Sequence, residues 1–399
     1  MKRYEQELRS YMQELRVINT HSHRGRDPEF ENYSLETLLN RSYVSWLGVP
    51  FGRTKESREQ YLKKVRYNSY FVWLQRSLQE LYGIEEALSA ENWDEYSRRI
   101  REAYQNKEHH LGLLKDKCRY EKIILDTYWE PGSDNKHPEI FTPTFRINMF
   151  LYGYSKTARD HNGNNPLILY GRDIKDIDEY IDFVREIISR KKQEGCVALK
   201  SAVAYDRGLD FQEVSKEKAQ LAFKEDGKRP EPDEIKAFQD YVFYQICKIA
   251  AELDLPIQIH TGLGKLEKTN AMQMQEVISK NPGTKFVLFH GSYPWMDDIN
   301  GLLHLYPNVY PDLCWLPLIS TSACERMLDE LIEVGTADKV CWGCDTWTSE
   351  ESYGALLAME HVLSKVLARK IEDGYLSPDD AREIIANILY NNAKGLYKL

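Results

Sequence analysis

Apolar residues follow two different periods along the chain, and the change from one to the other divides it. Residues 1–15 hold apolar side chains at helical spacing and predict a short amphipathic helix. Val17-Ile18-Asn19-Thr20 has strand character and runs directly into His21-Ser22-His23. Residues 34–117 are almost free of strand pattern, with aromatic and leucine positions at helical spacing, as in Tyr70, Phe71, Leu74, Leu78 and Leu81. Several helices are predicted there. The stretch is too long for one crossover and reads as a helical insertion after the first strand. Its Trp, Tyr and Arg residues either roof a site or form a small core of their own.

From Glu121 onward strands and helices alternate. Strands are predicted at 122–127, 141–147, 196–202, 256–260, 285–290, 309–313 and 339–345, with helices at 175–194, 233–254 and 321–336 between them. Two helices, 354–373 and 378–393, close the chain. Residues 205–232 are a polar excursion carrying Gly208, Gly227, Pro230 and Pro232, long enough to act as a lid. Strand-helix alternation of this kind predicts a parallel sheet covered by helices. Counting the first, eight strands at this spacing fit a closed (β/α)8 TIM barrel, α/β in class, with all of 1–399 as one domain.

Composition narrows the function classes. The chain is 42% hydrophobic and 29% charged, which suits a soluble protein with a large core. A net charge of −9 argues against a nucleic-acid or anionic-membrane partner, since both favour a basic face. No apolar run is long enough to span a bilayer, and the first residues lack the apolar core of a signal peptide. The 7 cysteines are odd in number and scattered among apolar neighbours, which suits free thiols and a cytoplasmic location. The expected partner is a small-molecule substrate, with a homo-oligomer left open.

Ligand-type residues gather at predicted strand ends, where such barrels place their chemistry. The first strand ends in His21 and His23, the fifth in His260, the sixth in His290 and the eighth in Asp345, with Lys200 near the end of the fourth. Side chains alternate faces along a strand, so His21 and His23 point the same way, as do Val17 and Asn19. In the fourth strand Cys196, Ala198, Lys200 and Ala202 share a face against Val197 and Leu199. In the fifth, Ile257 and Ile259 oppose Gln258 and His260; in the eighth, Val340 and Trp342 oppose Cys341, Gly343 and Asp345. Neutral imidazole is a common ligand for zinc and related metals. Arg146, Tyr205 and Arg207 could grip a substrate carboxylate or form salt bridges at the rim, and Trp347 and Tyr293 are candidates to line the pocket. The thiols of Cys341 and Cys344 face opposite sides of a strand and do not make a pair. His109, His110, His137, His161, His304 and His361 have no partner pattern and read as surface or structural residues.

The chain resembles the amidohydrolase superfamily of metal-dependent TIM-barrel hydrolases, and within it the amidohydrolase-related (amidohydrolase 2) branch that includes part of fungal FluG-type proteins. The matching pieces are Asn19-Thr20-His21-Ser22-His23, the run from Lys200 to Leu209, Gln258-Ile259-His260-Thr261-Gly262, the run from Leu288 to Pro294, and Trp342-Gly343-Cys344-Asp345. The run from Leu389 to Tyr397 matches the family's closing helix and also looks like that of uronate isomerases. The resemblance implies a divalent metal on His21, His23 and Asp345, with His260 as a further ligand: zinc first, manganese or iron as alternatives, one or two ions. In two-metal branches Lys200 would be carboxylated and bridge the ions with His290 joining; in one-metal branches His290 would hold or deprotonate the water. Lys200 could equally stay an ammonium that binds an anionic substrate. Asp345 is the expected general base. The implied reaction is hydrolysis of an amide, ester or lactone bond of a small polar or carboxylate-bearing molecule. Decarboxylation, uronate isomerisation on the same site, and a non-catalytic metal-binding scaffold are the alternatives.

Overall fold

Seven short parallel strands form one sheet in chain order. They are β1 (Val17–Ser22), β2 (Tyr120–Leu125), β3 (Phe141–Arg146), β4 (Ala198–Ser201), β5 (Ile257–Ile259), β6 (Phe286–Phe289) and β7 (Val309–Asp312). The computed structural model describes residues 2–224 and 228–399. Every residue of β1, β4, β5 and β6 is buried, as expected for strands covered on both faces. Leu199, Ile257, Ile259, Phe286 and Leu288 pack outward against the helices. Ile18, Ile124, Ala198, Val287, Phe289 and Cys341 fill the interior, plugged by Ala393, Leu396 and Tyr397 from the C-terminal helix Asn392–Tyr397.

The predicted eighth strand is reduced to a single bridge, Cys341 with Asp312. It closes the barrel nonetheless. On one side Cys341 N donates to Pro311 O (3.0 Å) and Leu313 N to Cys341 O (2.9 Å). On the other, Thr20 N donates to Trp342 O (3.3 Å), Asp345 N to His21 O (2.9 Å) and His23 N to Thr346 O (3.0 Å). The ladder stays irregular because Asp345 has a φ of +61°.

Alternation holds in the strand centres and fails at several ends. In β1 the register shifts between Asn19 and Ser22. Val17 therefore packs outward with the helices while Ile18 faces the interior, and His21 and His23 also face inward. Cys196 lies outside the predicted face, in the outer core, because β4 begins only at Ala198. Phe289 points inward, so simple alternation would turn His290 out; its φ of +66° turns it back.

The insertion is helical throughout, from Leu35–Asn40 to the π-helical turn Leu113–Lys117. It has its own core around Tyr33, Leu38, Tyr61, Phe71, Trp93 and Tyr96. It is tied to the long helix Ser349–Glu372 through buried carboxylates: the Tyr82 and Tyr104 hydroxyls donate to Glu350 Oε1 (2.7 and 2.8 Å), and Tyr43 N donates to Glu351 Oε1 (2.6 Å). The excursion after β4 is docked rather than free. Leu209, Phe211, Ala219 and Ala222 are buried, and Phe211 stacks on Phe243 at 4.1 Å. Gly227 lies outside the described residues.

Gly343 is where the closing segment comes nearest to β1. A Cβ there would meet His21 N and Thr20 Oγ1, both at 2.7 Å. The glycine thus serves the closure, whereas the sequence alone gives it no such role. Gly343→Ala is expected to lower stability by about 1–3 kcal/mol through overpacking, read as a fall in the urea midpoint at unchanged slope.

Candidate metal centre

Hydrogen bonding to an oxygen fixes one ring nitrogen of each of four imidazoles. His23 Nδ1 lies 2.9 Å from the carbonyl oxygen of Asp126, and His290 Nδ1 lies 2.9 Å from that of Cys314. His260 Nε2 is bonded to the carbonyl of Leu263. His21 Nδ1 lies 3.1 Å from Gln258 Oε1. The Gln258 amide is itself fixed, because its Nε2 donates to Thr20 O (2.9 Å) and the Tyr397 hydroxyl (3.1 Å). A carbonyl oxygen can only accept, so each of these ring nitrogens is an N–H donor. The other nitrogen of each ring then carries a lone pair: Nε2 of His21, His23 and His290, and Nδ1 of His260.

These lone pairs gather in two groups that meet at Asp345, whose Oδ2 lies 3.9 Å from His290 Nδ1. His260 Nδ1 and His290 Nε2 are 2.9 Å apart. Asp345 Oδ1 is 3.1 Å from His23 Nε2 and 3.5 Å from His21 Nε2. His21 Nε2 and Asp345 Oδ1 are buried without any hydrogen-bond partner. Lone pairs facing lone pairs and a carboxylate repel unless positive charge lies among them. On three of the rings protons do not supply that charge at neutral pH. Burial holds His21, His260 and His290 well below the ordinary histidine range, and the Lys200 ammonium lowers them further. A nitrogen- and oxygen-rich set with each histidine anchored through its second nitrogen fits a divalent cation.

Asp126, directly after β2, reaches the same centre, with Oδ2 3.8 Å from both His21 Nε2 and His23 Nδ1. It holds a guanidinium as well: Arg146 Nε donates to its Oδ2 at 3.1 Å, and Arg146 Nη2 to the same oxygen. Burial pushes the Asp126 carboxyl up, and Arg146, His23 and Lys200 together more than offset this. Lys200 Nζ is buried without a hydrogen-bond partner, 4.0 Å above the Phe289 ring; burial lowers its amine to about 8. Cys314 borders the centre, but burial holds its thiol protonated.

A cavity of about 240 Å³ opens over this centre. His23, His260 and Asp345 form its floor, Tyr128, Tyr205 and Trp347 its walls, and Tyr43 and Trp46 of the insertion cover one side. Trp347 stacks on His23 at 5.4 Å, and Tyr205 lies 4.5 Å from His260.

The model of the family described as "Amidohydrolase" matches residues 195–399, half of the chain. The chain belongs to the amidohydrolase family. It is 29% identical to protein fluG of Emericella nidulans over 222 residues, which are 51% of this chain and 26% of that protein, so only about a quarter of that relative's length is matched. It is 22% identical to the uronate isomerase of Thermotoga maritima over 403 residues, covering 90% of this chain and 86% of that one. The crystal structure of uronate isomerase from Thermotoga maritima superposes with a TM-score of 0.77 at 19% identity, covering 99% and 97% of the two chains. That likeness is one of fold, a TIM barrel.

In this chain, His21, His23, His260, His290 and Asp345 are brought together at the barrel mouth, with Lys200 beside them. Tyr205 and Arg146 line the cavity. The Arg146 guanidinium pairs with Asp126 and, through Nη1, with Asn162 Oδ1 at 2.8 Å. Arg207 does not line the cavity. It pairs with Asp240 at 2.9 Å, because the chain after Tyr205 turns away from the barrel mouth. Tyr293 packs on the outer core.

Asp126, Gln258 and His161 are among the residues to which sequence reasoning gave no role at the site. Asp126 was legible as the polar residue ending Ile123-Ile124-Leu125. Gln258 was legible as a polar residue on the inward face of the fifth strand. His161 lines the cavity with Nδ1 held 2.9 Å from Asp206 Oδ2, a pairing across 45 residues that no local pattern announces.

The double variant His21→Ala/His23→Ala is expected to lose bound metal by elemental analysis, and equal metal in variant and wild type would rule the centre out. Gln258→Leu removes the acceptor that fixes the His21 tautomer. Its metal affinity, by chelator competition, is expected to fall about 10–100-fold.

Proposed function

We propose that this amidohydrolase is a metal-dependent hydrolase that cleaves an amide, ester or lactone bond of a small, carboxylate-bearing molecule. The observation that carries the reading is the convergence of four imidazole lone pairs and the Asp345 carboxylate at the floor of a small aromatic-walled cavity. His21, His23, His260 and Asp345 would hold the cation, with zinc as the first choice and manganese or iron as alternatives. When bound, it supplies Lewis acidity that acidifies water and polarises a carbonyl. Asp345 takes the proton of the attacking water and returns it to the leaving group. His290, fixed by the Cys314 carbonyl, keeps its second nitrogen toward the same centre. The aromatic walls exclude bulk water and orient a flat or ring-shaped substrate. The buried free cysteines suit a reducing compartment, and no helix among the described residues is long and apolar enough to cross a membrane.

A second reading, isomerisation of a uronate on the same centre, is favoured by one observation. The likeness to the Thermotoga maritima uronate isomerase runs through 90% of this chain, more than the half that the family model matches. Metal-loaded protein assayed against lactones and γ-glutamyl amides on one side, and uronates and hydroxybenzoates on the other, separates hydrolysis from isomerisation and decarboxylation. Turnover of none would favour the scaffold reading.

Asp345→Asn is expected to keep the fold and lose about 10²–10⁴ in turnover, because the amide keeps the shape without the basicity. Metal is measured in the same preparation. A metal-replete Asp345→Asn enzyme with near-normal rate, beside a larger loss in His290→Asn, would instead make His290 the base.

A further inference from the structure

The cavity lining carries two basic side chains, Arg146 and Lys200, besides its histidines. Arg146 is already paired with Asp126 and Asn162. Lys200 is 1% exposed, and its Nζ has no hydrogen-bond partner. Three N–H donors on a buried charge are costly to leave unmade, and such a group calls for a ligand. Its neighbour on one side is the face of Phe289, 4.0 Å away. That ring face attracts an ammonium and repels an anion.

We propose that Lys200 remains an ammonium and receives the carboxylate of the substrate, which makes the cavity specific for small monocarboxylates. The proposal rests on the reading that the cavity over the metal centre is the substrate site. A carboxylated Lys200 would set a negative group directly against the Phe289 face, which repels an anion. One point charge among flat aromatic walls suits a monoanion; a phosphoryl dianion would call for further unpaired cations. Arg207, the other cation that sequence reasoning offered, is held by Asp240 outside the cavity.

The test is calorimetric titration of the zinc-loaded full chain with D-glucuronate, benzoate and hexanoate, each against a neutral counterpart: D-glucose, benzamide and hexanamide. At least one acid is expected to bind tenfold or more tighter than its counterpart. Lys200→Met is expected to erase that preference while keeping wild-type metal content, with Lys200→Gln as the second variant should the first misfold. Wild-type protein equilibrated with ¹³C-bicarbonate is expected to show no carbamate resonance. The proposal is overturned if no acid is preferred, if a metal-replete variant keeps the preference, or if a carbamate signal appears. It is equally overturned if the variant loses metal that acetate restores. Turnover is read separately. An enzyme that isomerises uronates, or does neither reaction, refutes the hydrolytic reading without changing the titration that decides Lys200.

Discussion

Carbonyl oxygens decide what the mouth of this barrel can bind. Each of the four inward histidines gives one N–H to an oxygen that can only accept, so the remaining lone pair of each ring is aimed rather than free. For His21 the chain of command is long. The Tyr397 hydroxyl and the Thr20 carbonyl hold the Gln258 amide, and Gln258 holds the imidazole. The C-terminal helix that plugs the barrel floor is therefore part of the apparatus that orients a ligand at the mouth. Assembling these groups around repelling lone pairs costs stability in the absence of a cation, and binding one relieves that cost.

The same arrangement explains where the backbone departs from regular form. His290, Trp315 and Asp345 all have left-handed φ values, of +66°, +63° and +61°. Each such residue costs about 1–2 kcal/mol relative to ordinary geometry. The cost is offset locally. Cys314 O accepts from His290, Trp315 stacks on Tyr43 at 4.7 Å, and the Tyr43 hydroxyl donates to Asp345 O at 2.8 Å. Tyr43 belongs to the insertion and is pinned through its own N–H by Glu351. The insertion thus clamps the turn that presents Asp345, besides covering the cavity.

Much of this was legible in the sequence because parallel barrels put their chemistry at strand ends, and a strand end can be read from where a β-branched run meets a histidine or carboxylate. Ala198 with Lys200, and Gln258 with His260, face as alternation says. What stayed hidden depends on backbone features that alternation does not encode. The register shift in β1 leaves the pairing of His21 with His23 intact but moves Val17 to the other face. The positive φ at His290 reverses its side. Asp126 and Arg146 each carry a polar group at a strand end, yet only the fold shows that they neutralise each other. Tyr43 and Trp46 sit in a segment whose aromatic content reads equally as core, and most of its aromatic residues are core.

A fold of this class is compatible with many reactions, so the donor set on the barrel axis does not by itself choose one. The choice falls to what surrounds it. Four imidazoles and a carboxylate would polarise almost any carbonyl presented to a cation among them. The walls are more selective. Tyr128, Trp347 and Trp46 help to wall a cavity of about 240 Å³, Arg146 is neutralised by Asp126, and Lys200 faces inward over Phe289 without a hydrogen-bond partner. Burying an unpaired charge is costly unless a ligand completes it. On the proposed reading, selectivity comes from a substrate anion that completes the site, on walls drawn partly from a segment outside the barrel strands, while the axial histidines stay generic.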